Sequence, residues 1–198
     1  MHISEGVLSL PVLGTGYFLT SIGLGIGLRF LKGENIVRAA IFSSAFFVAS
    51  LIHVPIGPAS VHLILNGLVG VFLGWSVFCA IFVSLLLQAM LFQFGGLTTL
   101  GINTFNMAFP AILCYLLFAR VLKKGRLSIL IFGFLAGFLG VFLGSLCVAL
   151  SLFFSGEQFL NAAKLIFMAH LPVMFVEGII TALILQFIKK VKPEIFIY

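Results

Sequence analysis

Charged side chains are the scarcest class of residue in this chain. They make up 8% of its 198 residues, whereas a soluble globular domain carries roughly 25%. Hydrophobic residues make up 62%, and the mean hydropathy is +1.31. This balance excludes a soluble domain and indicates a polytopic membrane protein. The 24 phenylalanines suit lipid-facing surfaces, and the 21 glycines suit close helix packing in lipid.

Several catalytic and targeting signatures are also missing. The chain has neither a G-x-x-x-x-G-K-[ST] loop nor an H-E-x-x-H motif, so any ATP hydrolysis coupled to it takes place on other subunits. The three cysteines stand alone in apolar stretches, without metal-site or redox spacing. The opening residues MHISEG lack the basic n-region of a signal peptide, so we expect the N-terminus to be retained with a free amine on Met1.

Long apolar segments account for most of the chain. Most of them reach the roughly 17–25 residues that span a bilayer. They predict an all-α membrane protein, a bundle of seven transmembrane helices that forms one domain over residues 1–198. The predicted segments are Val7–Leu28, Val37–Ile52, Val61–Gly74, Val77–Phe94, Phe105–Leu122, Leu127–Phe154 and Ala163–Ile188.

The distribution of basic residues decides whether the third and fourth segments are separate. A break at Gly74–Ser76 puts ten of the eleven Lys and Arg residues on one side of the membrane. By the positive-inside rule the C-terminus then lies in the cytoplasm and the N-terminus outside. The net charge of +6 is therefore explained by membrane topology, and we predict no nucleic-acid partner.

This topology gathers polar chemistry at the outer face. His2, His53, Ser60 and His62, together with the predicted outer loop at 94–106, all fall on that side. Three of the four histidines of the chain are thus predicted to lie at the outer face, on the same side of the membrane as the N-terminus.

Met1 and His2 form a nitrogen chelate by covalent structure alone. The amine and the amide nitrogen close a five-membered ring, and the amide nitrogen and imidazole Nδ1 close a six-membered ring. One further nitrogen completes a square, the geometry that selects Ni(II) or Cu(II). His62 and His53 are both candidates for that nitrogen. Asn66 follows His62 by four residues and is predicted to orient its ring from the same helix face.

Four stretches resemble the CbiM/NikM family of substrate-capture (S) subunits of energy-coupling-factor (ECF) ABC transporters for cobalt and nickel. They are MHISEG, HVPIGPASVHLILNG, FGGLTTLGINTFNM and HLPVMFVEG, and the resemblance runs from Met1 to about Pro193. It implies seven transmembrane helices with the N-terminus outside and tucked into the bundle. It also implies that Ni(II) or Co(II) is bound by the Met1 amine, the His2 amide and imidazole, and the imidazole of His62.

The same resemblance implies partners and location. A transmembrane coupling subunit and two cytoplasmic ATPase subunits are expected, and this chain itself is not an enzyme. Because the chain ends at Tyr198 without the extra part of fused members, a separate small accessory membrane subunit is expected as well. The complex is expected to import metal across a bacterial or archaeal cell (inner) membrane.

Two other functions remain open at this point. One is a membrane-embedded metalloenzyme that uses His53, His62 and Glu177; the other is an S subunit for a different small solute, such as a vitamin. Glu177 shares a helix face with His170, deep in the last segment, where an ionised carboxylate is costly. It is interpreted either as a structural hydrogen-bond acceptor or as part of a proton or cation pathway. Planar geometry favours nickel over cobalt, but four nitrogen donors do not separate the two metals.

Overall fold

The computed structural model describes residues 1–51, 53–56, 59–122 and 126–193, with the backbone alone for 53–56, 59–61 and 126–128. Within these ranges the protein is a helical bundle with one short hairpin. The helices are α1 (Leu10–Phe30), α2 (Glu34–Ala49), α3 (Asn66–Leu73), α4 (Val77–Phe92), α5 (Leu100–Phe118), α6 (Arg126–Phe153) and α7 (Leu160–Val191).

Five helical stretches among the described residues are long and apolar enough to cross a membrane. This confirms the prediction of a helical membrane protein, while seven crossings and the orientation of the termini stay predictions. The helices α2, with 16 residues, and α3, with eight, are shorter than a full span. The five stretches are Leu10–Phe30, Asn66–Phe92, Leu100–Phe118, Ile129–Phe153 and Glu157–Val191.

A β-hairpin connects α2 to α3. Strand β1 (His53–Ile56) pairs antiparallel with β2 (Ala59–His62), and His53 lies opposite His62 in the register. The prediction that a helix begins at Val61 is therefore wrong: the helix begins at Asn66. Leu65 precedes it in the left-handed region, with φ of 55°, and a right-handed helix does not extend backwards through such a residue.

The chain reverses between α3 and α4. The helix α3 ends at Leu73; Gly74 follows with φ of +52°, and a single 3₁₀ turn at Gly74–Ser76 leads into α4. The helix α4 runs antiparallel to α5. Its start follows Gly74, which contacts Tyr115 near the end of α5, and its later residue Gln88 bonds to His2, whose neighbour Ile3 bonds to Asn103 near the start of α5. By contrast, α3 runs parallel to α5, because Asn66 contacts Met107 and Gly70 contacts Ala111. The break predicted at Gly74–Ser76 is thus a turn between two antiparallel helices.

The N-terminal residues lie at one end of the bundle and most basic residues at the other. At the N-terminal end, the Ser9 amide donates to Ser155 Oγ just beyond α6, and Asn106 in α5 bonds to Ser151. The opposite end carries the last turns of α1, α5 and α7 and the first turns of α2 and α6. Basic residues that the structure describes there are Arg29, Lys32, Arg38, Arg120, Arg126, Lys189, Lys190 and Lys192.

Candidate metal site at the buried N-terminus

The first three residues are inserted into the helical bundle. Met1 and Ile3 are fully buried, and His2 is only 4% exposed. Asn103 of α5 holds this segment through the backbone of Ile3: the Ile3 amide donates to Oδ1 at 3.0 Å, and Nδ2 donates to the Ile3 carbonyl at 3.0 Å. These two bonds satisfy the backbone of Ile3 much as a neighbouring strand does.

A second attachment lies at the surface. The Thr98 amide donates to Oε1 of Glu5 at 2.9 Å, which joins the exposed end of MHISEG to the connection before α5. Residues 94–106 were predicted to form an outer loop, and this is only partly correct. The helix α5 begins at Leu100, so Asn103 and Asn106 are buried helical residues rather than loop residues.

The His2 imidazole is fixed by Gln88 of α4. Ring atom Nε2 lies 2.8 Å from Gln88 Oε1. The amide of Gln88 is oriented by its own NH₂ group, which donates to the carbonyl oxygen of Phe47 at 3.1 Å, an atom that can only accept. Oε1 therefore accepts, Nε2 of His2 carries the proton, and Nδ1 is the unprotonated ring nitrogen. Nδ1 is also the nitrogen that closes a chelate ring with the His2 amide.

The His62 ring packs beside the His2 ring, with 4.8 Å between the ring centroids. Its Nδ1 donates to the carbonyl of Leu63 at 2.7 Å, so Nε2 is the unprotonated nitrogen. Within the described part of the chain, this buried Nε2 has no hydrogen-bond partner. An unsatisfied buried acceptor costs free energy, and a metal ion is one ligand that removes this cost.

Burial also favours the metal-binding state of the N-terminus. Desolvation holds the pKa of the Met1 amine well below its ordinary value. A lower pKa means that the amine stays neutral to lower pH, and only the neutral amine binds metal.

The donors at this place are nitrogens, and several of them do not belong to side chains. Among the described side chains, no three His, Cys, Asp or Glu residues lie close enough together to hold a metal ion. A site built here therefore depends on the Met1 amine and the His2 amide in addition to the two imidazoles. Such a set is planar by covalent structure, as three of its four donors belong to adjacent groups of one chain.

Asn66 does not orient His62 in the way the helical spacing predicted. Its Nδ2 donates to the Gly140 carbonyl at 3.0 Å, and its Oδ1 accepts from the Gly67 amide at 2.9 Å. The i, i+4 relationship fails because His62 ends strand β2 and only Asn66 begins a helix. The residue that orients His62 is Leu63, through its carbonyl.

The other secondary candidates, His53 and Ser60, have side chains that lie outside the described residues. Their backbones belong to strands β1 and β2, and His53 pairs with His62 across the hairpin. They remain predictions from the sequence.

Glu177 of α7 holds the segment that follows His62. Its buried carboxylate accepts from the amides of Ile64 and Leu65, with the Leu65 nitrogen 2.9 Å from Oε1 and 3.1 Å from Oε2. These bonds agree with the structural interpretation of Glu177. On the same helix, His170 donates from Nδ1 to the Ile166 carbonyl at 2.7 Å, and its buried Nε2 has no hydrogen-bond partner among the described residues.

Two residues of this site were not assigned to it by the sequence predictions. Gln88 interrupts the apolar run VFCAIFVSLLLQAMLF of α4, and a lone amide in a membrane helix is a signal of function or of helix contact. Asn103 gave no comparable signal, because it stands among other polar residues.

Comparison with known proteins identifies the family. The family model described as "Cobalt uptake substrate-specific transmembrane region", CbiM, matches residues 2–195. The chain belongs to the CbiM family. This confirms the resemblance read from the sequence, and it makes the chain a multi-pass membrane transport protein with cobalt or nickel as the transported substrate.

Individual relatives agree with CbiM membership. A protein of Haemophilus influenzae named for metal transport is 42% identical over 98% of this chain and 96% of its own length. A protein of Archaeoglobus fulgidus, named as a fused nickel transport protein NikMN, is 30% identical over 98% of this chain and 68% of its own length. A crystal structure described as a transition metal transporter has a TM-score of 0.81 and 27% identity, over 96% of this chain and 93% of that one.

Proposed function

We propose that this CbiM-family chain is the substrate-capture subunit of an ECF-type importer, and that it binds Ni(II) or Co(II) in a square of four nitrogens. The square consists of the Met1 amine, the His2 amide nitrogen, His2 Nδ1 and His62 Nε2. Nickel is the preferred ion in this proposal, because a planar nitrogen set suits Ni(II) better than it suits Co(II).

The observation that carries this proposal is the position of the ring proton in the two imidazoles. Gln88 Oε1 accepts from Nε2 of His2, and the Leu63 carbonyl accepts from Nδ1 of His62. Each bond leaves unprotonated the one ring nitrogen that the square requires. The centroid distance of 4.8 Å between the rings is short enough for both to serve one ion.

The proposal includes seven membrane crossings with the N-terminus outside. The reversal at Gly74 supports it, because it divides the stretch Asn66–Phe92 into two antiparallel helices. The eight residues of α3 reach only about 12 Å, so the extended residues before it complete that crossing. Non-helical backbone at membrane depth is tolerated where protein covers it, and His62, Ile64 and Leu65 are buried. The basic end of the bundle then faces the cytoplasm.

The proposed partners are a transmembrane coupling subunit, two cytoplasmic ATPase subunits and a small accessory membrane subunit. The lack of a phosphate-binding loop in this chain supports separate ATPases. The longer, fused relative NikMN supports an accessory component, since this chain covers 68% of it.

A membrane metalloenzyme that uses Glu177 is disfavoured by the hydrogen bonds of this residue. Both carboxylate oxygens of Glu177 accept hydrogen bonds from backbone amides, so the group is committed to holding the chain. A square filled by four protein nitrogens also leaves no ready place for an activated water.

The test is a titration of the purified protein with Ni(II) and Co(II), with the affinity tag on the C-terminus and visible absorption as the readout. We expect a yellow, diamagnetic Ni(II) complex that is absent in His2→Ala and in His62→Ala. A leader of several residues before Met1, ending in a protease site that regenerates Met1, is expected to abolish binding until cleavage restores the free amine. Unchanged affinity in the uncleaved, folded protein would refute the square.

A further inference from the structure

We propose that Gln88 is a positioning residue for metal capture: it holds the His2 imidazole in the tautomer and orientation that the planar chelate requires. This inference rests on the proposed function, because it concerns the geometry of the same nitrogen site. It assigns a role to a residue on α4, distant in sequence from every proposed ligand.

Gln88 is completely buried in a helix whose other residues, apart from Ser84, are apolar over Val77–Phe92. A primary amide carries two N–H donors and one acceptor oxygen, and burying such a group is costly unless these are paired. Within the described structure the amide makes two donor contacts and one acceptor contact, and these reach two different parts of the chain.

Both donor contacts go to the end of α2. Gln88 Nε2 lies 3.1 Å from the Phe47 carbonyl oxygen and also bonds to Ser50 Oγ. The hydroxyl of Ser50 in turn donates to the Phe46 carbonyl at 2.7 Å, so its oxygen is left to accept. The amide of Gln88 therefore cannot be reversed without setting its oxygen against the Phe47 carbonyl.

The remaining atom, Oε1, points to His2. Because the reversed amide is excluded, Oε1 is an acceptor only, and the bond of 2.8 Å requires a proton on Nε2 of His2. A neutral imidazole with its proton on Nε2 has its lone pair on Nδ1. An acceptor behind a metal-binding imidazole also increases the basicity of the ring and fixes its plane. The end of α2 thereby sets the orientation of a ligand on the N-terminal segment.

The experiment compares three variants of the full-length protein, each with its native N-terminus. Gln88→Met keeps the length and volume of the side chain but removes the acceptor. Gln88→Glu keeps an acceptor oxygen for His2, and in its protonated form its hydroxyl takes over the donation to the Phe47 carbonyl. Ser84→Ala is the matched control: Ser84 lies one turn earlier on α4, is buried, and bonds to Ser43 of α2. It changes the same helix interface without a contact to His2.

We expect Gln88→Met to bind Ni(II) about 10- to 100-fold more weakly, the range found when a partner of a metal ligand is removed. The visible band of the complex should shift, since the imidazole no longer lies in the plane of the other donors. Gln88→Glu should restore the wild-type band and most of the affinity, and Ser84→Ala should leave both unchanged. Ser84→Ala weakening binding as much as Gln88→Met would mean that helix packing, and not the acceptor, is responsible, and would overturn the proposal.

Nitrogen NMR of the metal-free wild-type protein supplies a test that needs no variant. With ¹⁵N-labelled histidine, His2 should show a proton on Nε2 that exchanges slowly with solvent, and a protonated Nδ1 would overturn the proposal. Normal Ni(II) affinity and an unshifted band in folded Gln88→Met would refute the role of Gln88 alone. Wild-type protein that binds neither Ni(II) nor Co(II) would instead refute the proposed function and this inference with it.

Discussion

Asn103→Ala is the substitution that tests most directly whether the docked N-terminus forms the metal site. Asn103 makes two hydrogen bonds of 3.0 Å to the backbone of Ile3, one residue beyond the chelating His2. A net hydrogen bond contributes about 0.5–1.5 kcal/mol, so the variant loses about 1–3 kcal/mol of docking free energy. Because a tenfold change corresponds to about 1.4 kcal/mol, we expect Ni(II) to bind about 5- to 140-fold more weakly.

The control for this experiment lies one turn further along α5. Asn106 is also a buried amide, but it bonds to Ser151 of α6, at 3.1 Å from Nδ2 and 3.3 Å to Oδ1. Asn106→Ala should therefore lower the thermal stability of the bundle while leaving Ni(II) affinity near that of the wild type. The assay is a competition titration against a coloured chelator in detergent. Asn103→Ala with affinity within threefold of the wild type, or Asn106→Ala with an equal loss, would contradict the docking argument.

Three further predictions concern protonation, ligand choice and packing. Burial lowers the pKa of the Met1 amine, so between pH 6.5 and 7.5 Ni(II) should displace fewer protons from the protein than from a free MHISEG peptide; equal slopes of log affinity against pH would refute this. His170→Ala should keep the yellow Ni(II) band that His62→Ala loses, because the structure brings only His62 into ring contact with His2 among the described histidines; loss in both variants would implicate His170 as a ligand. Gly67→Ala should lower the melting temperature measured by circular dichroism, since its Cβ would overlap the α6 backbone, whereas Gly14→Ala, with open space around it, should not.

Composition and apolar length predicted the helices best where the apolar run is long. The last two segments were predicted at Leu127–Phe154 and Ala163–Ile188, and α6 and α7 occupy Arg126–Phe153 and Leu160–Val191. In such runs every backbone group must be satisfied within the helix, so lipid itself enforces the structure. The prediction failed at the start of the third segment, which was placed at Val61, because strand β2 runs to His62 and α3 begins only at Asn66.

The sequence likewise predicts one part of the candidate site and not the rest. The chelating power of Met1 and His2 follows from covalent adjacency, so the sequence alone predicts it. The choice between His62 and His53 did not follow from spacing, because it depends on how the hairpin packs against the N-terminus. The contacts of Gln88 and Asn103 join residues 86 and 100 positions apart. Contacts of that range are set by the tertiary fold, and no local pattern encodes them.

The scarcity of charge in this chain and the nature of the proposed donors have one explanation. A cluster of carboxylates or thiolates inside a helical bundle in lipid would carry several negative charges without metal, and each would be costly. Burial lowers the pKa of the Met1 amine, so a neutral amine and two neutral imidazoles can be buried at little cost in free energy. The His2 amide becomes an anion only when a metal displaces its proton. The bound complex then has a net charge of about +1 instead of the +2 of the free ion. A capture subunit built in this way keeps a stable empty state in the membrane and a bound state whose charge is low enough to bury.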